Sequence, residues 1–144
     1  MRDQAQRRLK EIVDRGEEPP VDLRGQIVFY AGPAKTPSGK PVGAIGPTTS
    51  ARMDDYLEML FKLGAIATIG KGKRSKKAIE ACKKWKRVYF VTPSGTAAAL
   101  SKRVKKSRVL AFEDLGPEAI YEIEVEDFPL IVAIDSSGNT IFKE

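Results

Sequence analysis

The sequence contains no histidine and a single cysteine, Cys82. Without histidine, a His-based catalytic triad or a histidine zinc site within this chain is excluded. With one cysteine there is no internal disulfide and no cysteine cluster able to hold a metal alone. Cys82 sits in the helical-looking stretch Ala81-Cys82-Lys83-Lys84 and is expected to be a small core or boundary residue. No apolar run reaches bilayer-spanning length, and no charged-then-apolar secretory leader is visible. The cytoplasm is therefore the expected location, with no membrane partner. The 144 residues suit one domain, 1–144, large enough for a real core.

Charge is plentiful but uneven. The formal net charge is +6, from 25 basic against 19 acidic residues. Residues 71–87 hold nine Lys/Arg against one Glu, whereas residues 113–127 are acidic. Such asymmetry suits a nucleic-acid face, an acidic partner or an anionic small substrate. No aromatic-interleaved or helix-turn-helix pattern accompanies it, so nucleic acid is not the expected partner. A basic binding module without catalysis stays open as the alternative of a different class, and a solvated lysine-rich helix is the plainer account.

Turn chemistry, hydroxyls, an arginine and a helix start converge at Gly46-Pro47-Thr48-Thr49-Ser50-Ala51-Arg52-Met53-Asp54. Met53, Leu57, Leu60 and Phe61 recur at helical spacing, which predicts a helix over 49–63 closed by Gly64. Thr49 and Ser50 are both candidate N-caps. Arg52 in a first turn is poor for helix stability but good for holding an anion, because N–H groups, hydroxyls and guanidinium can meet the same oxygens. An ordinary capped helix is the competing account.

The flanking pattern alternates. A helix over 2–15, with Asp3 as a candidate cap, precedes an apolar strand at 26–30. A loop over 31–47 follows, holding four prolines and four glycines, the small-residue knot 32–37 and a short strand at 41–45. It is expected to be ordered and functional. Further strands are expected at 65–69, 88–92, 109–112, 120–125 and a buried one at 130–134, with helices at 75–84 and 96–103. The Asp114-to-Glu118 stretch reads as a turn, and Ser136-Ser137-Gly138-Asn139 as a hairpin turn leading to Ile141-Phe142.

Strands alternating with helices, then strands alone, imply an α/β domain with a mainly parallel sheet and an added antiparallel hairpin. Working residues in such sheets lie beyond the carboxyl ends of strands. The turn Gly70-Lys71-Gly72 occupies that position but lacks the spacing of a nucleotide-binding phosphate loop, so ATP is not expected. A strand-end lysine aimed at a carboxylate competes with a plain solvated turn. Glu122, Glu124 and Glu126 alternate along a strand and read as a solvated face rather than a metal site. The residues thus point to an anion site built from Thr48, Thr49, Arg52 and Lys71, without naming a reaction.

Several segments also carry a resemblance. Residues 30–37 (Tyr-Ala-Gly-Pro-Ala-Lys-Thr-Pro), then Gly46-Pro47-Thr48-Thr49 with Arg52-Met53-Asp54, then Lys71-Gly72 with Arg74-Ser75, resemble the β part of class I fumarases. That family of iron–sulfur hydro-lyases also includes L-tartrate dehydratase. Glu118-Ala119-Ile120 and residues 123–129 resemble its tail, so the likeness covers nearly the whole chain. It implies a swivelling β/β/α domain and a β subunit that is inactive without an α subunit carrying a 4Fe–4S cluster. It implies reversible hydration of fumarate to L-malate, with L-tartrate dehydration the close alternative, in a hetero-oligomer that admits β–β pairing.

By the same resemblance, Arg52 and Lys71 match residues that hold substrate carboxylates, and Arg2 matches the arginine of an Arg-Asp-x-Ala-His segment that also reaches substrate. Thr48 and Thr49, from the anion site read above, complete the substrate-binding set. Thr48 matches the proposed carbon base, a role that requires cations such as Lys71 to stabilise its alkoxide. Gln6 stands where the family segment carries histidine. The chain begins at the Arg-Asp segment, whereas relatives carry a leading β segment, which implies either a shortened β subunit or a start further upstream.

Overall fold

A computed structural model of the chain describes residues 1–31, 46–92 and 100–142. Three apolar runs form parallel neighbours in one sheet: β1 (Ile27–Phe29), β2 (Ala67–Gly70) and β3 (Val88–Val91). Their connections are helical, through α2 (Asp54–Lys62) between β1 and β2 and α3 (Lys76–Trp85) between β2 and β3. β4 (Val104–Ala111) and β5 (Ile120–Val125) form a separate antiparallel pair, joined through a 3-10 stretch, Glu113–Glu118. β6 (Ile131–Ile134) returns to run antiparallel beside β3, giving the order β1-β2-β3-β6. With α1 (Asp3–Asp14), this is the expected α/β architecture: a mainly parallel sheet, a second small antiparallel sheet, and helices. No helix among the described residues is long and apolar enough to cross a membrane.

Two cores sit on the helical layer. Ala5 and Leu9 of α1, Val28 of β1 and Tyr30 just beyond it, and Met53 and Leu60 around α2 form one, with Ile120 of β5 beneath. Leu57 and Phe61 of α2 meet Ala78, Ala81 and Cys82 of α3 and Tyr89 of β3 in the other. Leu57 and Phe61, four residues apart, enter one core, whereas the equally buried Leu60 lies about 100° round the helix from Phe61 and enters the other. Burying each such side chain contributes roughly 1.5–3 kcal/mol. A third, smaller cluster (Ala31, Leu100, Val104, with Phe29 and Phe128 edge to face) joins the hairpin to the end of β1.

Several local expectations change. The segment after Pro47 does not enter an α-helix at Thr49: a 3-10 turn, Ser50–Met53, comes first and α2 starts at Asp54. Thr49 holds the N-cap position of that turn, but neither its side chain nor that of Ser50 caps it, because Ser50 Oγ is drawn inward to Tyr89. Asp3 lies in the first turn of α1 rather than capping it. β4 begins at Val104, five residues before the expected strand. The strand at 130–134 is only half buried, since Ile131 and Val132 are exposed on the edge of the sheet. Residues 32–37, the strand expected at 41–45, and residues 96–99 of the expected helix lie outside the described residues.

Candidate functional site

The carboxyl ends of β1 and β2 are extended by backbone pairing beyond the strands themselves. Tyr30 N–H donates to the Ile69 carbonyl (2.8 Å), and Ala31 bridges Pro47. Thr48 then folds against Tyr30, whose carbonyl accepts from both Thr48 N–H (2.8 Å) and Thr48 Oγ1 (3.0 Å). Thr49 forms a parallel bridge with Lys71, through Lys71 N–H to the Thr48 carbonyl (3.2 Å) and Ser50 N–H to the Lys71 carbonyl (3.0 Å). Two segments far apart in sequence, 46–50 and 70–72, are thereby laid side by side. Lys71 is half-buried, and among the described residues its ammonium makes no hydrogen bond or ion pair.

Arg52 projects from the 3-10 turn, 55% exposed, with one Nη2 hydrogen bond to Asp3 Oδ1 at 3.1 Å. Arg2 precedes α1, with its side chain 29% exposed; its Nε is buried without a hydrogen bond and pairs loosely with Glu118 at 3.9 Å. Both arginines line one open cavity of about 560 Å³, together with Asp3, Arg7, Arg8 and Glu118. Thr48, Thr49 and Lys71 are not among the residues lining it. The predicted residues therefore fall in two groups, Thr48–Thr49–Lys71 held by backbone pairing and Arg2–Arg52 sharing a cavity, linked through the short turn between Thr49 and Arg52. Gln6 is fully buried on α1, its amide Nε2 2.9 Å from Met53 Sδ and its Oε1 without a partner.

Beneath these groups lies a buried polar network. Arg74 donates from Nε to Asp54 Oδ1 (2.6 Å), from Nη1 to Thr68 Oγ1 (3.1 Å) and from Nη2 to the Tyr30 hydroxyl (3.1 Å). Its guanidinium also lies 5.0 Å from the ring centroids of both Tyr30 and Tyr89. Asp54 Oδ2 accepts from Ser75 N–H (2.8 Å), and Ser75 in turn caps α3. One ion pair thus ties the start of α2, the start of α3 and Tyr30, whose carbonyl holds Thr48, into one unit. Burial pushes the phenols of Tyr30 and Tyr89 up, so both are neutral hydroxyls at neutral pH.

Nothing in the local pattern announced this network. Arg74 falls in a basic run that reads as solvated, and only its adjacency to Ser75, an N-cap type of residue before a helix, hints at a boundary. Tyr30 and Tyr89 read simply as strand residues, since periodicity places a side chain on a face and says nothing of its hydroxyl.

Known proteins give the arrangement a lineage. The family model described as "Fumarase C-terminus" matches residues 1–144. The chain is 42% identical over 145 residues to "Fumarate hydratase class I, anaerobic" of Escherichia coli, covering 99% of this chain and 26% of that protein. It is 43% identical to "Fumarate hydratase 2" of Leishmania major, again covering 26% of the relative. It therefore spans about a quarter of the length of these relatives. Against the "Putative L(+)-tartrate dehydratase subunit beta" of Methanocaldococcus jannaschii the identity is 42% over 149 residues, covering 99% of this chain and 76% of that subunit. With a family model matched along its whole length and relatives this similar, the chain belongs to the fumarase C-terminus family.

Proposed function

We propose that this chain is the β part of a two-part hydro-lyase that reversibly adds water to fumarate, giving L-malate. The observation that supports this best is the pairing of the Thr48–Thr49 segment with Lys71 at the ends of parallel strands, with Arg52 three residues further on. Removing a proton from carbon next to a carboxylate builds a second negative charge on that carboxylate. Fixed cations stabilise that charge far better inside a water-poor site than in bulk water. Arg2, Arg52 and Lys71, with the Thr49 hydroxyl, are assigned to the substrate carboxylates, where guanidinium forks match carboxylate geometry.

Thr48 is assigned the proton transfer to and from carbon. As a neutral hydroxyl it donates to the Tyr30 carbonyl. Delivering that proton to carbon therefore requires the O–H to turn away from Tyr30, and the alkoxide left behind requires a cation, which Lys71 supplies on this reading. An iron–sulfur cluster does not fit this chain's own side chains. Cys82 is buried between α2 and α3, its thiol pushed up to about 11 by burial, and among the described residues no three His, Cys, Asp or Glu converge as metal ligands. The 4Fe–4S cluster is thus assigned to a partner α chain, where it would supply Lewis-acid chemistry. We assign the resulting hetero-oligomer to the cytoplasm, whose reducing conditions suit a lone thiol.

Mixing this chain anaerobically with a cluster-loaded α partner, and following fumarate absorbance against each chain alone, tests the reading. Hydration is expected only in the mixture. Thr48→Ala is expected to lower kcat by at least about a hundredfold while complex formation persists; full turnover in that variant would sink the assignment. L-Tartrate is the second substrate to try, because the Methanocaldococcus jannaschii relative named as a putative tartrate dehydratase subunit is matched over 76% of its length.

A further inference from the structure

The bridge that sets Thr48 and Thr49 beside Lys71 is two backbone hydrogen bonds outside any named strand. Pairing at the open end of a sheet is a weak restraint, prone to local opening. One residue further along each segment, however, a side chain from a third strand joins the two. The Tyr89 hydroxyl, reaching from β3, lies 2.8 Å from Ser50 Oγ and 2.9 Å from the Gly72 carbonyl oxygen. A carbonyl can only accept, so the single phenolic proton goes to Gly72 and Ser50 supplies the proton of the other bond. Both hydroxyls are therefore satisfied, and one oxygen grips both segments.

Three further features fix that oxygen. Tyr89 is fully buried, and the Arg74 guanidinium, itself held by Asp54, Thr68 and Tyr30, covers its ring. Ser50 is fully buried as well. Its Oγ occupies the space that a Cβ on residue 70 would need, so the close approach of the two segments depends on Gly70 having none. A serine, a glycine and a tyrosine from three separate elements thus converge on a spacing that the backbone bridge alone would hold loosely.

We propose that Tyr89 is a positioning residue of the active site, whose hydroxyl clamps Ser50 to Gly72 and so fixes the distance from Thr48 to Lys71. The proposal rests on the reading above that Thr48 and Lys71 act on substrate. The clamp touches neither the reacting atoms nor the carboxylates, so its loss acts on the chemical step through geometry, leaving carboxylate binding by Arg2 and Arg52 in place.

The test uses Tyr89→Phe, which keeps the ring, Ser50→Ala, and the double variant, in the complex with the α partner and in the chain alone. Each single variant is expected to lower kcat about tenfold and to raise KM by a smaller factor, about threefold or less, because Thr49 and Lys71 shift while Arg2 and Arg52 still hold the carboxylates; the double variant is expected to be no worse than either. Amide hydrogen exchange at Ser50 and Lys71 is expected to quicken by about tenfold in both variants, while the amides of Leu60 and Phe61 in α2 keep their wild-type rates. Unchanged exchange at Ser50 and Lys71 would overturn the clamp whatever the activity. Faster exchange with unchanged kcat would overturn the positioning role. Thr48→Ala run alongside separates the two ideas, since full turnover there refutes the catalytic reading while the exchange rates still decide the clamp.

Discussion

Arg74 and Arg52 carry the same guanidinium under opposite conditions. The Arg74 side chain is wholly buried, and all three of its nitrogens donate, to Asp54, Thr68 and Tyr30. The Arg52 side chain is 55% exposed and has one hydrogen bond, to Asp3. A guanidinium has five N–H donors in a fixed fork. Where all nitrogens are engaged by the protein, arginine acts as architecture; where most donors face an open cavity, it retains the capacity to hold an anion. Within one small domain the two jobs are separated by burial alone: the buried arginine braces Asp54, Thr68 and Tyr30, while the exposed one faces the cavity.

The sharpest way to break this contrast is to remove the buried cation. Arg74→Met leaves Asp54 charged in a dry site, and is expected to cost about 3–5 kcal/mol, read from urea unfolding of the isolated chain. A loss below about 1 kcal/mol would mean that water reaches the network. Arg52→Ala should do the reverse: stability within about 1 kcal/mol of wild type, because exposed pairs contribute little. In the complex, its KM for the dicarboxylate should rise roughly ten- to a hundredfold, the magnitude of a lost charge-assisted hydrogen bond. An unchanged KM would remove Arg52 from the substrate site.

Cys82 supplies the finest probe of the same interior. Its thiol is raised from 9.0 to about 11, first by burial, so the folded state holds the proton more tightly than the unfolded state does. That contribution is fully present below pH 9 and is lost as pH rises toward about 11, because the unfolded thiol ionises first. Cys82→Ala should therefore flatten a small alkaline decline in stability. Thiol labelling at pH 8 should be slow in the folded chain and fast in urea; rapid labelling without denaturant would show that the α2–α3 contact opens readily.

Much of the architecture is readable in the chain because it is written in short-range chemistry. The apolar runs around Val28, Ile69 and Tyr89 are strands bracketed by helical periodicity, and that alternation is enough to make the sheet parallel. Lys71 stands at a strand end, the position where α/β sheets carry their working groups. The start of β4 is not readable. Lys106 and Arg108 carry no strand signal of their own; they lie opposite Glu124 and Glu122, and Arg108 pairs with Glu122 at 2.9 Å. Opposite charges across a strand pair support the first half of this strand, where the sequence gives no apolar signal. Ile131 and Val132 mislead in the other direction, since an apolar run does not say that the strand lies at an edge.

Among the described residues, short-range patterns were enough to order the helices and strands from α1 to β3, to place Lys71 at a strand end, and to identify the family. These depend on residue type and spacing, which the chain carries locally. Long-range packing alone sets Thr49 against Lys71, turns Ser50 inward to Tyr89 rather than onto a helix cap, and buries the arginine of a basic run. Each of these depends on a partner supplied by a distant element. A charge or a hydroxyl has no fixed place in the fold until that partner arrives, because whether it is hydrated or buried is set by what surrounds it.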